Sequence, residues 1–317
     1  MPAPEITAVI CTRNRSRLLA RCLDGALDQA LDRACYEVLV VDNASTDETP
    51  ALCARFAADG RVRAIIEPVV GLSAAKNAGL REARGRYVAF LDDDAVPCRD
   101  WLRSGLDAFH TATPEPAWVG GPISLDWEEP PPPWLAEDLR ECLGLLDWGP
   151  SPRWLEPHER LGGGNSFHPR AALERLGGFD LRLGRKHGRL LSGEETQLQR
   201  RIEAAGGRLY YHPGAAIRHF VARERLKPSF FYRRYYWGGV TDAVIRRTLR
   251  NGGCPRIPLP TAQGVAAGSL PGRVIRSVVR AIGLAPQTGR IRGRLYLAYV
   301  AGVLSAPLLA LREPASK

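Results

Sequence analysis

The sequence predicts an α/β fold in which helices flank a mixed, mainly parallel sheet, and three observations lead to this prediction. The 317 residues are 45% hydrophobic and 25% charged, which is enough apolar material to bury a sizeable core. In the first third of the chain, short apolar stretches rich in β-branched residues alternate with longer segments of helical spacing. Beyond that third the regular alternation ends, and a C-terminal helical extension is predicted.

The elements of the first third follow one another in a regular order. Each predicted strand precedes a segment whose apolar residues stand three or four positions apart. The second helix is expected to begin at Ser45, because Ser45 and Glu48 stand at capping-box spacing. The predicted strands are 6–12, 36–41, 62–66 and 87–91, and the predicted helices are 15–30, the segment from 45 onward, and 73–84.

Polar residues stand at the ends of three of these strands. Thr12 ends the first strand, Asp42 follows the second, and Asp92–Asp94 follow the fourth. In parallel sheets the ligand binds beyond the carboxyl ends of the strands, which share one edge. We therefore expect these residues to line a single crevice.

The remainder of the chain is less regular. Four consecutive prolines at 130–133 predict a loop or an extended edge, and the glycines at 162–164 precede a short strand. Pro213 interrupts another apolar stretch. The predicted strands are 118–125 and 208–217, and the predicted helices are 171–176, 194–205 and 228–250.

Composition suggests three parts. Residues 1–250 are expected to form one catalytic domain, with a first half of about 1–100 and a second of about 101–250. Residues 251–272 are rich in glycine and proline and predict a linker. Residues 273–317 predict a basic and apolar helical tail.

Charge is divided unevenly along the chain, although the formal total is +10. Residues 221–317 hold 17 basic and 3 acidic side chains, whereas residues 1–220 hold 27 and 31. The mildly acidic larger part argues against a nucleic-acid-binding protein. The basic smaller part predicts a specific anionic partner.

The tail suggests two kinds of partner. Six arginines lie between 271 and 294 without an acidic residue, and 295–311 carry no charge. Such a basic segment beside an apolar one suits the surface of an anionic membrane. The alternative is a helix pair packed on the catalytic domain or on a second subunit of a homo-oligomer.

Cysteine usage and the N-terminal residues bear on localisation. The seven cysteines form no CxxC pair and no spacing typical of zinc sites, which favours reduced thiols. The first residues lack a basic segment before an apolar stretch, so we expect no signal peptide. A cytoplasmic protein is predicted, and it would be peripheral at the inner face of the membrane if the tail binds there.

The triplet Asp92-Asp93-Asp94 is the sharpest chemical feature of the sequence. Three adjacent carboxylates after an apolar strand repel one another, and a divalent cation such as Mn²⁺ or Mg²⁺ relieves that repulsion. The alternative is that these residues cap the next helix.

Several motifs in order resemble family 2 glycosyltransferases with the GT-A fold. The resemblance extends over about residues 5–245, and no single motif would be specific alone. The motifs are Thr12–Asn14, Val40–Asp47, Gly71–Gly79, Phe90–Asp94 and Gly193–Leu198.

The resemblance implies a role for each matching residue. Glu195 stands where relatives carry an aspartate base, with Glu194 beside it, and Lys76 stands where many relatives have arginine. The implied catalytic residues are Glu195 and Glu194. The implied nucleotide-sugar ligands are Thr12, Arg13, Asp42, Lys76, Asp92 and Asp93; the metal ligands are Asp94, Asp92 and His219; the acceptor-side residues are Gly163, Gly164, Asn165 and Trp127.

The function implied by the resemblance is metal-dependent, inverting transfer of one sugar from a nucleoside-diphosphate sugar. The acceptor would be a hydroxyl of a glycan, a lipid-linked molecule or a small molecule. The processive signature Gln-x-x-Arg-Trp is missing before Trp237, which favours a single addition. Two alternatives remain: a nucleotidyltransferase on a related fold, and a catalytically silent nucleotide-sugar-binding module.

Overall fold

The fold consists of two compact units in a computed structural model that describes residues 3–157, 159–186, 188–250 and 287–310. The division between the units lies inside the predicted domain 1–250, because helix 228–250 groups with the C-terminal helix. The predicted linker 251–272 lies outside the described residues. The first unit contains residues 1–126, 144–187 and 194–220, and the second contains 127–143, 188–193 and 221–317.

Strands of the described residues form two sheets. The larger sheet has the order β3-β2-β1-β4-β9-β6-β10-β8, and the smaller has the order β5-β11-β7. The strands are β1 Ile6–Thr12, β2 Tyr36–Asp42, β3 Arg63–Ile66, β4 Tyr87–Asp92, β5 Ala95–Pro97, β6 Trp118–Gly120, β7 Ile123–Trp127, β8 Arg153–Trp154, β9 Asn165–Pro169, β10 Leu209–Tyr211 and β11 Ile217–Val221.

The N-terminal half of the large sheet is parallel, as predicted. β1 lies between β2 and β4, with Thr12 opposite Asp42 and Cys11 opposite Asp92. β3 extends this parallel set beyond β2, whereas β9 runs antiparallel to β4. The carboxyl ends of β1, β2 and β4 therefore meet at one edge, while β9 reaches that edge with its first residue.

Helices cover both faces of the large sheet. Side chains of β1 alternate between two cores, because Ile10 packs with α1, α2 and α4 whereas Val9 packs with α3, α5 and α6. The predicted α/β class is thus confirmed. The helices are α1 Ser16–Leu27, α2 Thr49–Ala58, α3 Leu72–Glu82, α4 Trp101–Thr111, α5 Arg170–Arg175, α6 Glu194–Ala204, α7 Pro228–Arg250 and α8 Gln287–Ala310.

Two predicted strands are each divided into two. The segment 118–125 breaks at Gly121-Pro122, so that β6 joins the large sheet and β7 the small one. The segment 208–217 divides in the same way into β10 and β11. The sequence predicted the interruption of the second segment at Pro213 but not the break in the first.

The predicted capping box at Ser45 is wrong. The helix α2 begins four residues later, and its N-cap residue Glu48 makes no capping bond through its side chain. The Ser45 hydroxyl instead accepts a hydrogen bond from the Asn14 backbone N–H at 3.0 Å, and so ties the loop after β2 to the loop after β1. Asp47 receives the Thr49 backbone N–H at 3.0 Å.

The second unit contains a closely packed helix pair, α7 and α8. The Tyr236 hydroxyl lies 2.7 Å from the Ser305 hydroxyl, and the Tyr299 hydroxyl donates to Asp242 Oδ2 at 2.7 Å. The helix α8 lies within the range 273–317, for which a helical tail is predicted. Across the described ranges, α8 included, we find no helix whose length and hydropathy would carry it through a lipid bilayer.

Candidate active site

The acidic triplet lies at the end of β4, and two side chains from the end of β1 bind it. The Thr12 hydroxyl donates to Asp93 Oδ2 at 2.8 Å. Arg15 Nη1 donates to Asp93 Oδ1 at 2.8 Å and to Asp94 Oδ2 at 3.1 Å. The strand alternation thus brings Thr12 and the triplet into one crevice, as the sequence predicted.

The triplet carries more negative charge than Arg15 balances. Burial raises the pKa of Asp93 to about 6, with Asp94 adding to the effect while Arg15 opposes it. Both carboxylates are almost fully buried, whereas the Arg15 side chain is 34% exposed. The crevice is therefore suited to a cation that adds to the charge of Arg15.

Arg15, rather than Arg13, is the arginine that engages the triplet. Arg13 is exposed, and Asn14 between them adopts a left-handed φ of 53°. The sequence placed two arginines within three residues, and only the turn at Asn14 decides which of them binds Asp93. An asparagine before a helix start is the signal for that turn, since asparagine tolerates φ > 0.

His219 lies beside Asp94 because β11 pairs with β5. His219 stands opposite Ala95 in this ladder, and its Nε2 lies 3.4 Å from Asp94 Oδ1. The Phe220 backbone N–H donates to the Asp94 carbonyl at 2.8 Å, which fixes the register. Neither β5 nor its pairing was predicted.

The three predicted metal ligands are not assembled into one group. In the parts of the chain that the structure describes, no set of three or more His, Cys, Asp or Glu side chains is arranged to hold a metal ion. Asp94 and His219 are adjacent, whereas the Asp92 carboxylate lies against Gly164. An oxygen and a nitrogen donor fit a cation that takes its other ligands from phosphate and water.

Asp42 is buried at the end of β2. Its Oδ1 accepts the Ser45 backbone N–H at 3.0 Å, across a turn in which Ala44 adopts a φ of 54°. The neighbouring Asn43 side chain donates to the carbonyls of Glu67 and Val69 at 2.9 and 2.7 Å. The loop after β3 is thereby fixed beside Asp42.

Lys76, a predicted nucleotide-sugar ligand, is buried and engaged by the protein in this structure. The side chain, on α3, is 3% exposed. Its Nζ donates to Glu194 Oε1 and to the Gly163 carbonyl, each at 3.3 Å. Although burial alone would lower the pKa of Lys76, the carboxylates of Glu194 and Asp92 raise it.

Glu194 and Glu195 open helix α6 in different environments. Glu194 is buried, and Glu195 is partly exposed. Burial and the neighbouring Glu194 charge raise the pKa of Glu195 to about 7. The pKa of Glu194 is lowered, because Lys76 outweighs the opposing effect of burial. A carboxyl group with a pKa near neutrality suits proton transfer at physiological pH.

The two glycines before β9 permit the closest contacts of the site. A Cβ at Gly163 would lie 2.7 Å from Glu195 Cβ, and one at Gly164 would lie 2.2 Å from Asp92 Oδ2. Two adjacent residues without side chains therefore contact Glu195 and Asp92 directly.

Asn165, predicted on the acceptor side, is buried at the start of β9. Its side-chain carbonyl accepts the Trp101 indole N–H at 2.8 Å, and its amide donates to the Ala215 carbonyl at 2.8 Å. Because the side chain is fully buried and bonded at both ends, it fixes the start of β9. Trp127, the other predicted acceptor residue, ends β7, is partly exposed and belongs to the second unit.

Comparison with known proteins shows which proteins this chain is similar to. Residues 7–122 match the family model described as Glycosyl transferase family 2. The chain is similar to the glucosyl-dolichyl phosphate glucuronosyltransferase of Haloferax volcanii, with 25% identity over 245 residues, 76% of this chain and 77% of that protein. It is also similar to the succinoglycan biosynthesis protein ExoM of Rhizobium meliloti, with 27% identity over 310 residues, 96% and 93% of the two chains.

A solved structure shares the fold over nearly the whole length. The mannosyltransferase PcManGT from Pyrobaculum calidifontis, in complex with GDP-Man and Mn²⁺, matches with a TM-score of 0.63. The sequence identity is 23%, and the match covers 99% of this chain and 89% of that chain. This likeness confirms the α/β arrangement of GT-A glycosyltransferases.

Proposed function

This chain is a glycosyltransferase that carries a family 2 domain, and from that premise we propose that it moves one sugar from a nucleoside-diphosphate sugar to an acceptor hydroxyl with inversion. The observation that carries the proposal is the contact of Gly163 with Glu195 and of Gly164 with Asp92. It supports a site in which a carboxyl group suited to proton transfer stands near a strand edge suited to a nucleotide.

The donor is proposed to bind at the carboxyl ends of β1, β2 and β4. Asp42 and Thr12 would contact the nucleoside, and Arg15 would face the negative charge of the diphosphate. Asp94 and His219, with donor atoms 3.4 Å apart, would hold Mn²⁺ or Mg²⁺. The presence of Mn²⁺ with GDP-Man in the similar mannosyltransferase supports this choice of ion. When bound, the cation supplies positive charge to the leaving diphosphate.

Glu195 is proposed as the general base of the displacement. The acceptor oxygen forms a bond to the anomeric carbon while the bond from that carbon to the diphosphate oxygen breaks. The proton of the acceptor hydroxyl passes to Glu195, whose pKa of about 7 allows it to be ionised at neutral pH. A single displacement of this kind inverts the configuration at the anomeric carbon.

A lipid-linked acceptor is the acceptor class we favour. The relative from Haloferax volcanii is named for a glucosyl-dolichyl phosphate acceptor, which is an anionic lipid-linked sugar. The strongly basic residues 221–317 suit such an acceptor and the membrane that carries it.

A thermal-shift screen of nucleoside diphosphates with and without Mn²⁺ tests donor binding. We expect one of UDP, GDP or another nucleoside diphosphate to raise the Tm, and more strongly with Mn²⁺, because stabilisation grows with ligand concentration over Kd. Release of that diphosphate from the matching nucleotide sugar then tests turnover. Transfer that is undiminished after chelation would contradict the metal role, and binding without release would support a silent module.

A further inference from the structure

We propose that Lys76 is a positioning residue that reserves the base role for Glu195, by holding Glu194 as an ionised carboxylate that takes no part in proton transfer. The inference rests on the proposed function, in which one carboxyl group must accept the acceptor's proton. Glu194 and Glu195 are adjacent and chemically identical, so their surroundings alone can assign their roles.

Access separates the two carboxyl groups. Glu194 is 4% exposed, and its Oε1 accepts Lys76 Nζ at 3.3 Å. Its other oxygen, Oε2, is buried and has no hydrogen-bond partner among the described residues. Glu195 remains partly exposed. An acceptor hydroxyl arriving from solvent therefore meets Glu195 rather than Glu194.

Lys76 is fully engaged by the protein. Besides Glu194, its Nζ binds the Gly163 carbonyl at 3.3 Å and lies 5.0 Å from the centre of the Phe179 ring. These contacts orient the ammonium group toward the interior of the first unit. A role for Lys76 as a diphosphate ligand would require breaking a buried ion pair, which is costly.

Gly163 links Lys76 to Glu195 through the backbone. The Lys76 ammonium fixes the Gly163 carbonyl, and the bare α-carbon of Gly163 packs on the Glu195 side chain. Lys76 thereby constrains Glu195 in position as well as in charge. We therefore expect that an uncharged residue of equal length would not replace it.

The charges around Glu195 act in opposite directions. Glu194, from the same helix, raises the pKa of Glu195, and Lys76, from α3, lowers it. Burial disfavours the charge on Lys76, but Glu194 above all, followed by Asp92 of β4 and by Glu195, holds the side chain charged. Removing either member of the pair should therefore move the titration of Glu195, each in its own direction.

The test measures the pH dependence of diphosphate release for the full chain with Mn²⁺ and a panel of UDP- and GDP-sugars. The acid limb of the pH–rate profile is the range in which the rate falls because Glu195 becomes protonated. We expect Glu194→Gln to move this limb to lower pH and Lys76→Met to move it to higher pH, each by about one to two pH units. Lys76→Arg, which keeps the charge, should stay near the wild type. The double variant Glu194→Gln/Lys76→Met removes both charges together. Its pH–rate profile should lie close to that of the wild type, and it should be more stable than Lys76→Met alone.

Carbon-13 NMR of glutamate carboxyl groups provides a second readout that needs no turnover. The Glu195 signal, assigned by its loss in Glu195→Gln, should titrate with the same shifts in the same variants. A rate that falls equally at every pH in Lys76→Met, with the Glu195 signal unmoved, would show a packing role only and overturn the inference. Weaker binding of UDP or GDP in Lys76→Met, with the pH–rate profile unshifted, would also overturn the inference. It would indicate that Lys76 binds the diphosphate instead.

The two readouts separate this inference from the proposed function. If the Glu195 signal shifts as expected but no nucleotide sugar is turned over, the charge arrangement stands and the glycosyl-transfer proposal fails. If diphosphate is released with an acid limb that no variant moves, transfer stands and the role of Lys76 is refuted.

Discussion

Glu195 combines partial exposure with an unusual titration, and both follow from its neighbours. Because the folded protein raises its pKa to about 7, the base is ionised above neutrality and protonated below it. We expect kcat/KM to be level above pH 7 and to fall about tenfold per unit below that value. The contribution of this residue to the free energy of unfolding should fall as the pH rises from 4.5, its ordinary pKa, to about 7, because the carboxyl group ionises more easily in the unfolded chain.

Glu195→Gln should lower transfer by about a hundredfold or more and leave the nucleoside-diphosphate Kd unchanged. Glu203→Gln is a matched control on the same helix, since Glu203 binds Arg160 and lies at the other end of α6. A loss of nucleotide binding in Glu195→Gln would mean that the residue is structural.

Asp94 should be essential for a different reason. In Asp94→Asn, we expect transfer to be lost and the Mn²⁺-dependent part of the nucleotide-induced rise in Tm to disappear, because a neutral amide is a poor ligand for a hard cation. Asp59→Asn, at an exposed position paired with Arg61, is the control. Retained Mn²⁺ dependence in Asp94→Asn would remove Asp94 from the ligand set.

At the residue scale, the sequence predicted which side chains lie near the site but not which distant side chains they bind. Thr12, Asp42 and the triplet could be placed in one crevice because strand ends in a parallel sheet share an edge. The pairing of Lys76 with Glu194 could not be predicted, because Glu194 lies 118 residues away in the chain and no local pattern records that contact.

At the scale of elements, the helix pair α7 and α8 depends on two glycines. A Cβ at Gly239 would lie 2.1 Å from the Tyr299 carbonyl oxygen, and one at Gly302 would lie 1.9 Å from that of Tyr236. Backbone atoms cannot move aside as a flexible side chain can. The two helices therefore approach each other at these positions as closely as their backbones allow.

Gly239→Ala should destabilise the second unit, by about 1–3 kcal/mol, because the added methyl group must separate the helices. The control is Gly238→Ala, at the preceding residue of α7. A Cβ there would have no atom within 4 Å, so this substitution should stabilise α7 by about 1 kcal/mol. Chemical denaturation of both variants checks the pair of values. Equal effects of the two substitutions would contradict the close approach.

The sequence predicted α7 and the parallel strands well, since long periodic segments carry a strong signal. It did not predict that 118–125 and 208–217 each contribute to two sheets. Alternation tells which residues face a core, but not which neighbouring strand accepts the hydrogen bonds. The position of His219 depends on that choice, because its approach to Asp94 follows from the pairing of β11 with β5.

At the scale of the whole molecule, the uneven charge predicts association with an anionic surface. We expect the full chain to sediment with vesicles of phosphatidylglycerol and phosphatidylcholine, less so at high salt. Replacing the exposed Arg290 and Arg294 of α8 by glutamine should weaken binding by about 2 kcal/mol, roughly thirtyfold in partition. Neither arginine is among the residues at the close contacts of Gly239 and Gly302 between α7 and α8.

The control replaces Arg17 and Arg55, two exposed arginines of the first unit, by glutamine. This variant has the same net charge as the first one, so a difference between them reports location rather than total charge. Equal loss of sedimentation in the two variants would refute a membrane-binding role specific to α8.

The contacts of Gly163 and Gly164 have a consequence for the evolution of the enzyme. One dipeptide touches Glu195 with its first residue and Asp92 with its second, so the spacing between the base and the donor end of β4 is set by a single peptide unit. An insertion, deletion or side chain there would disturb both partners at once. Changes of acceptor specificity must therefore arise in other segments, and directed evolution should leave these two positions unaltered.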